Sequence, residues 1–190
     1  MEKRTQDVPA AFVLLKILEK SDFIKTFDKI NSMEKVTFCC TVKGDIDLFL
    51  YIEGDGCAGY FEKEIKTLAE VKEARFCPIE VPLAPESKNN LLNALNKKTD
   101  KIPSKGAVPD QTVFSFILIE SESGKVNSLA SSLKNYDEIV YCSLMCGNNI
   151  IMIVKGMQFV QIDKFISNKL MNLDGILKIK EYPIISIYEL

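Results

Sequence analysis

Apolar and polar residues change period several times along this chain, and the changes come in the same order twice. Residues 10–18, AAFVLLKIL, are a nearly continuous apolar run, the mark of a strand buried on both faces. Phe23, Phe27 and Ile30 then recur at helical spacing and predict a helix over residues 22–33, with Ser21 as its cap. Val36–Val42 and residues 46–53 read as two strands joined by the turn Gly44-Asp45-Ile46-Asp47. After the loop Gly54-Asp55-Gly56, Phe61, Ile65 and Leu68 mark a second helix over residues 59–69. Residues 74–81 give a fourth strand.

The pattern breaks over residues 82–111, which hold Pro82, Pro85, Pro103, Pro109 and Gly106 among many Lys and Asn. Residues 83–111 are therefore predicted to be a linker, with a short helix over 88–98 through Leu91, Leu92 and Leu95. Residues 1–8 are polar and expected to fray. The cycle then restarts: strand 112–119, helix 124–136, strand Ile139–Met145, strand 150–155, helix 161–172 and strand 177–187.

The two cycles superpose residue by residue. At a shift of 103, Phe23, Phe27, Ile30, Val36, Phe38, Cys39 and Gly44 meet Val126, Ala130, Leu133, Ile139, Tyr141, Cys142 and Gly147. At a shift of 105, Phe61, Ile65, Leu68, Val71 and Pro78 meet Ile166, Leu170, Leu173, Ile176 and Pro183. The change of shift is placed in the loop after the third strand, where insertions are tolerated. An aligned Gly and an aligned Pro make a duplication the better explanation of the pattern. Each unit, 9–82 and 112–190, is thus expected to be βαββαβ, a ferredoxin-like plan whose fourth strand lies at a sheet edge and tolerates Pro78 and Pro183. The fold class is α+β. The inner strands are apolar on both faces while the helices cover one, so the two units are expected to bury sheet against sheet as a pseudo-dimer, within one chain or between two.

Composition narrows the function classes. The 190 residues are 47% hydrophobic and 26% charged, a globular profile. A formal charge of -2 gives no basic excess to neutralise phosphates, which argues against direct nucleic-acid binding. No stretch reaches the roughly 18 apolar residues of a membrane span, and the N-terminus does not read as a signal peptide, so a cytoplasmic location is expected. Cys39, Cys40, Cys57, Cys77, Cys142 and Cys146 are read as buried reduced thiols. Cys142 and Cys146, four apart on a strand, would lie about 13 Å from each other. With no CxxC pair and no histidine, no metal site is expected. A hard-metal site at Asp45 and Asp47 is conceivable chemistry, but turn and solvated-strand roles explain both residues.

Val36 followed by Gly44-Asp45-Ile46-Asp47-Leu48 resembles the effector-binding domain of the Lrp/AsnC transcription regulators. That domain is βαββαβ, and its hallmark is a Val eight residues before a Gly, then a variable residue, an aromatic or apolar residue and Asp. The second unit offers Ile139, Gly147 and Asn148-Asn149. Its Leu173-Asp174-Gly175-Ile176 is similar to the family's Pro-Gly-Val lead-in to the fourth strand. The second turn departs from the pattern, with Ile150 set against the family's Asp. The first unit has Ala69-Glu70-Val71 without the glycine. About nine residues precede the first strand, so a stand-alone tandem lacking the regulators' helix-turn-helix is expected.

The resemblance implies a small effector, an amino acid among the candidates, held near the turns between strands 2 and 3, and assembly into homo-oligomers. It nominates Gly44, Asp45, Asp47, Gly147, Asn148 and Asn149 as ligand-binding. A glycine admits close backbone approach, and a turn carboxylate answers an ammonium group. The same residues are ordinary hairpin-turn chemistry. Asp47, at the start of a buried strand, needs a partner. The expected partners are the effector and a helix-turn-helix protein or a second copy of the chain. No cofactor is expected.

An enzymatic role is not expected. The chain has no histidine, the commonest general base, and no motif pairs a Ser or Cys nucleophile with a base. Some Lrp-like proteins act on haem precursors, chemistry expected to lean on histidine. Two alternatives stay open: a protein-interaction scaffold, and an enzyme of the dimeric α+β-barrel sort with an acidic or tyrosine lining such as Tyr51 and Tyr141.

Overall fold

The computed structural model describes residues 9–86, 88–89 and 112–187, and the chain divides into two compact units after Pro82. Residues 1–8, most of the expected linker and all but the start of its expected helix lie outside the described residues.

Unit 1 runs β1 (Ala10–Ile17), α1 (Phe23–Asn31), β2 (Val36–Val42), β3 (Leu48–Glu53), α2 (Cys57–Tyr60) and β4 (Val71–Pro78). Unit 2 runs β5 (Val113–Ser121), α3 (Val126–Leu133), β6 (Ile139–Met145), β7 (Asn149–Gly156), α4 (Phe159–Phe165) and β8 (Ile176–Ile185). Each is βαββαβ, so the ferredoxin-like plan expected from the order of apolar patterns is the plan observed. In unit 1 the antiparallel order is β4-β1-β3-β2, and in unit 2 it is β8-β5-β7-β6. Among the described residues, no helix is long and apolar enough to cross a membrane.

The irregularities recur as faithfully as the regular elements. β2 shifts register between Val36 and Phe38, and β6 between Ile139 and Tyr141. β1 and β4 slip at Lys16/Ile17, and β5 and β8 at Glu120/Ser121. α2 and α4 both widen into a π-helical turn, Phe61–Ile65 and Ile166–Leu170. Bulges and π-turns interrupt regular pairing, and here they fall at matched positions of the two units.

Each sheet packs its helices on one face. In unit 1, Ala11, Val13, Leu15, Leu48, Leu50 and Ile52 join Ile30, Phe61 and Ile65 in one core. In unit 2, Ile117, Ile119, Met152 and Val154 join Leu129, Leu133, Ile162 and Phe165. The opposite face of unit 1 carries an aromatic cluster: Phe12 contacts Phe38, Phe49 and Tyr51 at 5.3–6.5 Å between ring centres. All four rings are buried. Full burial of such a side chain contributes roughly 1.5–3 kcal/mol, which explains why these strands do not alternate apolar with polar.

Several sequence expectations shift in detail. Asp22, not Ser21, caps α1, its carboxylate accepting from the Lys25 amide at 3.2 Å. β4 starts at Val71, three residues early, because the slip in β1 pairs Ile17 with Val71. β6 ends at Met145, so Cys146 sits exposed in the turn instead of on the strand, and Cys142 is half-buried. Burial raises the thiol pKa of Cys142 to about 11 and holds that of Cys39 well above its ordinary value. At β8 the Gly175 backbone has φ +89°, and a Cβ there would lie 2.8 Å from Lys125 Cδ. The Lys125 ammonium bridges Glu122 and Asp174 at 2.9 Å.

Glu181 on β8 is half-buried and accepts a 2.7 Å hydrogen bond from Ser115 Oγ. Burial raises its pKa most, the Ser115 bond opposes the rise, and the like charge of Asp163 adds to it. A raised folded-state pKa means stability that is present below the unfolded value and lost as pH rises through the folded one. Glu181→Gln keeps an acceptor for Ser115 and removes the charge. The variant should melt higher than the parent at pH 7 and about equal to it at pH 4, measured by circular dichroism. An unchanged difference across that range would refute this account.

Candidate functional site

The two hairpin turns nominated from the sequence have different jobs. In unit 1, Val42 donates to the Asp47 carbonyl at 3.0 Å and Asp47 donates to the Leu15 carbonyl at 2.9 Å, leaving residues 43–46 as the turn. In unit 2, Met145 pairs with Asn149, leaving residues 146–148. The second turn is one residue shorter. Glu120 pairs with Asn149, as Lys16 stands against Asp47 across β1 and β3. Asn149, not Ile150, is therefore the counterpart of Asp47, and the alignment of β3 with β7 is one residue off the sequence expectation. The polar character of the position is kept.

Asp47 has partners within its own unit. One carboxylate oxygen accepts from Lys16 Nζ at 2.8 Å and the other from the Ile17 amide at 2.8 Å. In unit 2 the matching Ser121 amide donates to the Asn148 carbonyl at 2.8 Å. The longer turn of unit 1 carries the main chain away from this position, and the carboxylate supplies the acceptor a carbonyl supplies in unit 2. Gly44 and Asp45 lie exposed at the tip, Gly44 with φ +148°. Gly147 is exposed with φ +72°, and Asn149 Nδ2 closes its own turn on the Cys146 carbonyl at 3.1 Å.

Beside the first turn lies a cleft of about 370 Å³ lined by Leu14, Lys16, Ile46, Glu73, Ala74 and Arg75. Leu15 and Ile17 pack with the helices, so Leu14 and Lys16 point to the other face. The same alternation sends Glu73 and Arg75 there, since Ala74 and Phe76 face the helices. Pairing sets Glu73 beside Lys16 and Arg75 beside Leu14. The result is a row across three strands, Glu73, Lys16 and Asp47, with signs minus, plus, minus, and Arg75 one pleat along. Among the described residues, neither Glu73 nor Arg75 has an ion-pair partner, and both are exposed. Unit 2 carries Lys178, Glu120 and Asn149 in the same row, with the signs of the first two reversed.

Of the six nominated residues, Asp47 belongs to this row, its neighbour Ile46 lines the cleft, and Gly44 and Asp45 stand at the turn's tip. Lys16, Glu73 and Arg75 were missed. One signal was readable: Lys16 is the charge that interrupts the apolar run of residues 10–18. Among the described residues no cluster of metal-binding side chains is present.

Comparison with known proteins bears on the fold. No protein-family model matches the chain, and no curated protein matches it. The crystal structure of the siroheme decarboxylase NirDL in co-complex with an iron-uroporphyrin III analogue matches with a TM-score of 0.65 at 11% identity, over 93% of this chain and 71% of that one. A second crystal structure of NirDL matches at 0.59 and 10% identity over the same shares. E. coli AsnC matches at 0.38 and 17% identity, over 55% of this chain and 74% of that one, a likeness too slight to argue from. The expectation that the chain is not an enzyme is corrected here. A structure sharing its fold across 93% of its length belongs to a decarboxylase. The absence of histidine does not bar such chemistry, because Glu, Lys, Tyr and Cys also move protons.

Asp47→Ala should destabilise unit 1 by about 1–3 kcal/mol, since it strands the Ile17 amide without an acceptor. Asp47→Asn should cost less, because its carbonyl oxygen keeps that bond and the partly exposed Lys16 pair is worth about 0–1 kcal/mol. Denaturant unfolding monitored by circular dichroism ranks the two. Equal stability of Asp47→Ala and the parent would show that the carboxylate does not hold the strand end.

Proposed function

We propose that the chain binds a small carboxylate-bearing molecule, with an α-amino acid of apolar side chain as the best fit, at the unit 1 cleft. The observation that carries this is the unpaired couple of Arg75 and Glu73 on one concave face, beside the turn that resembles the Lrp/AsnC effector-binding motif. A guanidinium takes a carboxylate bidentately, and a carboxylate of opposite placement takes an ammonium. Leu14 and Ile46 supply the apolar wall. The volume of about 370 Å³ falls at the small end of ligand sites. In this reading Asp47 positions the turn and Lys16, and Gly44 and Asp45 form its rim. Gly147, Asn148 and Asn149 belong to a turn whose row has the opposite polarity, which suits them to shaping unit 2. A regulatory role follows from the resemblance, with ligand occupancy passed to a helix-turn-helix partner or to a second copy of the chain.

A decarboxylase reading is favoured by one specific observation, the NirDL fold over 93% of the chain. It shares the carboxylate with the first reading and differs in the fate of that group.

Calorimetric titration with the common amino acids and their deamino analogues tests the first reading. At least one amino acid should bind saturably, and Arg75→Ala should weaken it more than tenfold, as expected for a charge-assisted bond of roughly 1.5–3 kcal/mol. Glu73→Gln should erase the preference for the amino acid over its deamino analogue. Binding by none of them, or binding indifferent to both variants, overturns the proposal. Carbon dioxide release from siroheme in the presence of the chain, followed with its absorption spectrum, would support the second reading.

A further inference from the structure

Unit 2 contains a second cleft, about 350 Å³, that neither the turn motif nor the first site explains. It lies where the end of β7 (Lys155, Gly156) and the residue before β6 (Glu138) meet α4 and its π-turn (Gln161, Lys164, Phe165, Lys169). Three lysines and one glutamate line it. Lys169 Nζ is held by Glu138 at 2.6 Å and lies 5.4 and 5.5 Å from the ring centres of Tyr136 and Phe165. Its position is fixed by three neighbours at once. Lys155 and Lys164 have no ion-pair partner among the described residues. Gln161 has its oxygen committed to the Met157 amide at 2.8 Å, which leaves its amide hydrogens to donate. Gly156 brings the helix close, since a Cβ there would stand 3.1 Å from the Gln158 carbonyl oxygen and Ile162 Cγ1.

The duplicated unit supplies an internal control. Lys155 donates its amide to the Glu138 carbonyl as Glu53 donates to that of Lys35, so Lys155 answers Glu53 and Glu138 answers Lys35. Registering the two π-turns sets Lys169 against Glu64 and Lys164 against Gly59. In unit 1 these positions are one negative charge in excess, with Lys35 turned onto the Asp55 carbonyl. In unit 2 they carry an excess of two positive charges around a concavity. Like charges sharing a cleft repel unless an anion joins them. The same backbone tolerates the acidic set, so folding does not require the cationic one.

We propose that this cleft is an oxyanion site for a phosphoryl group, free or as the head of a small ester, held by Lys155, Lys164 and the Gln161 amide. Inorganic phosphate and glycerol 1-phosphate are the probes, titrated into the full chain and followed by calorimetry and phosphorus NMR. Saturable binding of one equivalent is expected, weakening as salt rises. The Lys155→Glu/Lys164→Glu variant should lose at least tenfold in affinity. Both side chains are exposed, so the variant should keep the parent's circular dichroism, and Lys164→Gln provides a milder change if it does not. Stronger binding of the ester would name the monoester as the ligand, and equal binding would name the free anion; either supports the site. Non-saturable binding to the parent, or equal binding by the lysine variants, overturns it.

Discussion

A backbone N–H at the end of a central strand must find an acceptor, because burying it without one costs about 1–3 kcal/mol. In this fold that group is the Ile17 amide in unit 1 and the Ser121 amide in unit 2. The two units answer the demand differently. In unit 2 the shorter turn lets the Asn148 carbonyl reach Ser121. In unit 1 an extra turn residue moves the main chain off, and the Asp47 carboxylate bonds to Ile17 and Lys16 together. The acidic residue that looked most like a ligand contact is thus first a structural acceptor. Its second bond holds Lys16, one of the residues that line the unit 1 cleft.

The same βαββαβ plan occurs twice and carries two different charge patterns. The apolar core, the bulges and the π-turns recur because packing and hydrogen bonding constrain them in both copies. The sign of the charge at the polar positions on the sheet and beside the second helix is less constrained. They have separated in sign: Lys16 and Glu73 against Glu120 and Lys178, Glu53 and Glu64 against Lys155 and Lys169. A surface salt bridge contributes little to stability, about 0–1 kcal/mol, so exchanging its signs has little effect on folding. The difference lies in the field each unit presents to a small charged molecule.

The fold was legible because its signals are physical and local. Apolar runs such as residues 10–18 declare strands buried on both faces, and Phe61, Ile65 and Leu68 declare a helix. The aligned Pro78 and Pro183 marked the fourth strand. The π-turns were invisible, since one extra residue in a helical turn leaves the i, i+4 spacing almost unchanged. The alignment of β3 on β7 failed for a similar reason. Both faces there are apolar, as in Leu48-Phe49-Leu50 and Ile150-Ile151-Met152, so a one-residue slip leaves the hydrophobic pattern intact. Hydrogen-bond register resolves it. The sites were legible only in part. A turn motif points to the turn, but Glu73 and Arg75 join Lys16 only through the pairing of β4 with β1, a relation with no short-range trace.

The regulator-like and decarboxylase readings begin at the same chemical step, recognition of a carboxylate, and separate after it. Reversible binding needs a strong but hydrated anchor. Arg75 is exposed and has no ion-pair partner among the described residues, which suits an anchor whose ligand must also leave. Loss of carbon dioxide asks for more, because the electron pair left behind must be delocalised and then protonated. The unit 1 cleft, about 370 Å³, has room for an amino acid and not for a macrocycle, so the decarboxylase reading asks for a larger site than this one. Glu73 and Arg75 stand two residues apart on β4 and so share the face that lines this cleft, which is the placement the binding reading asks of them.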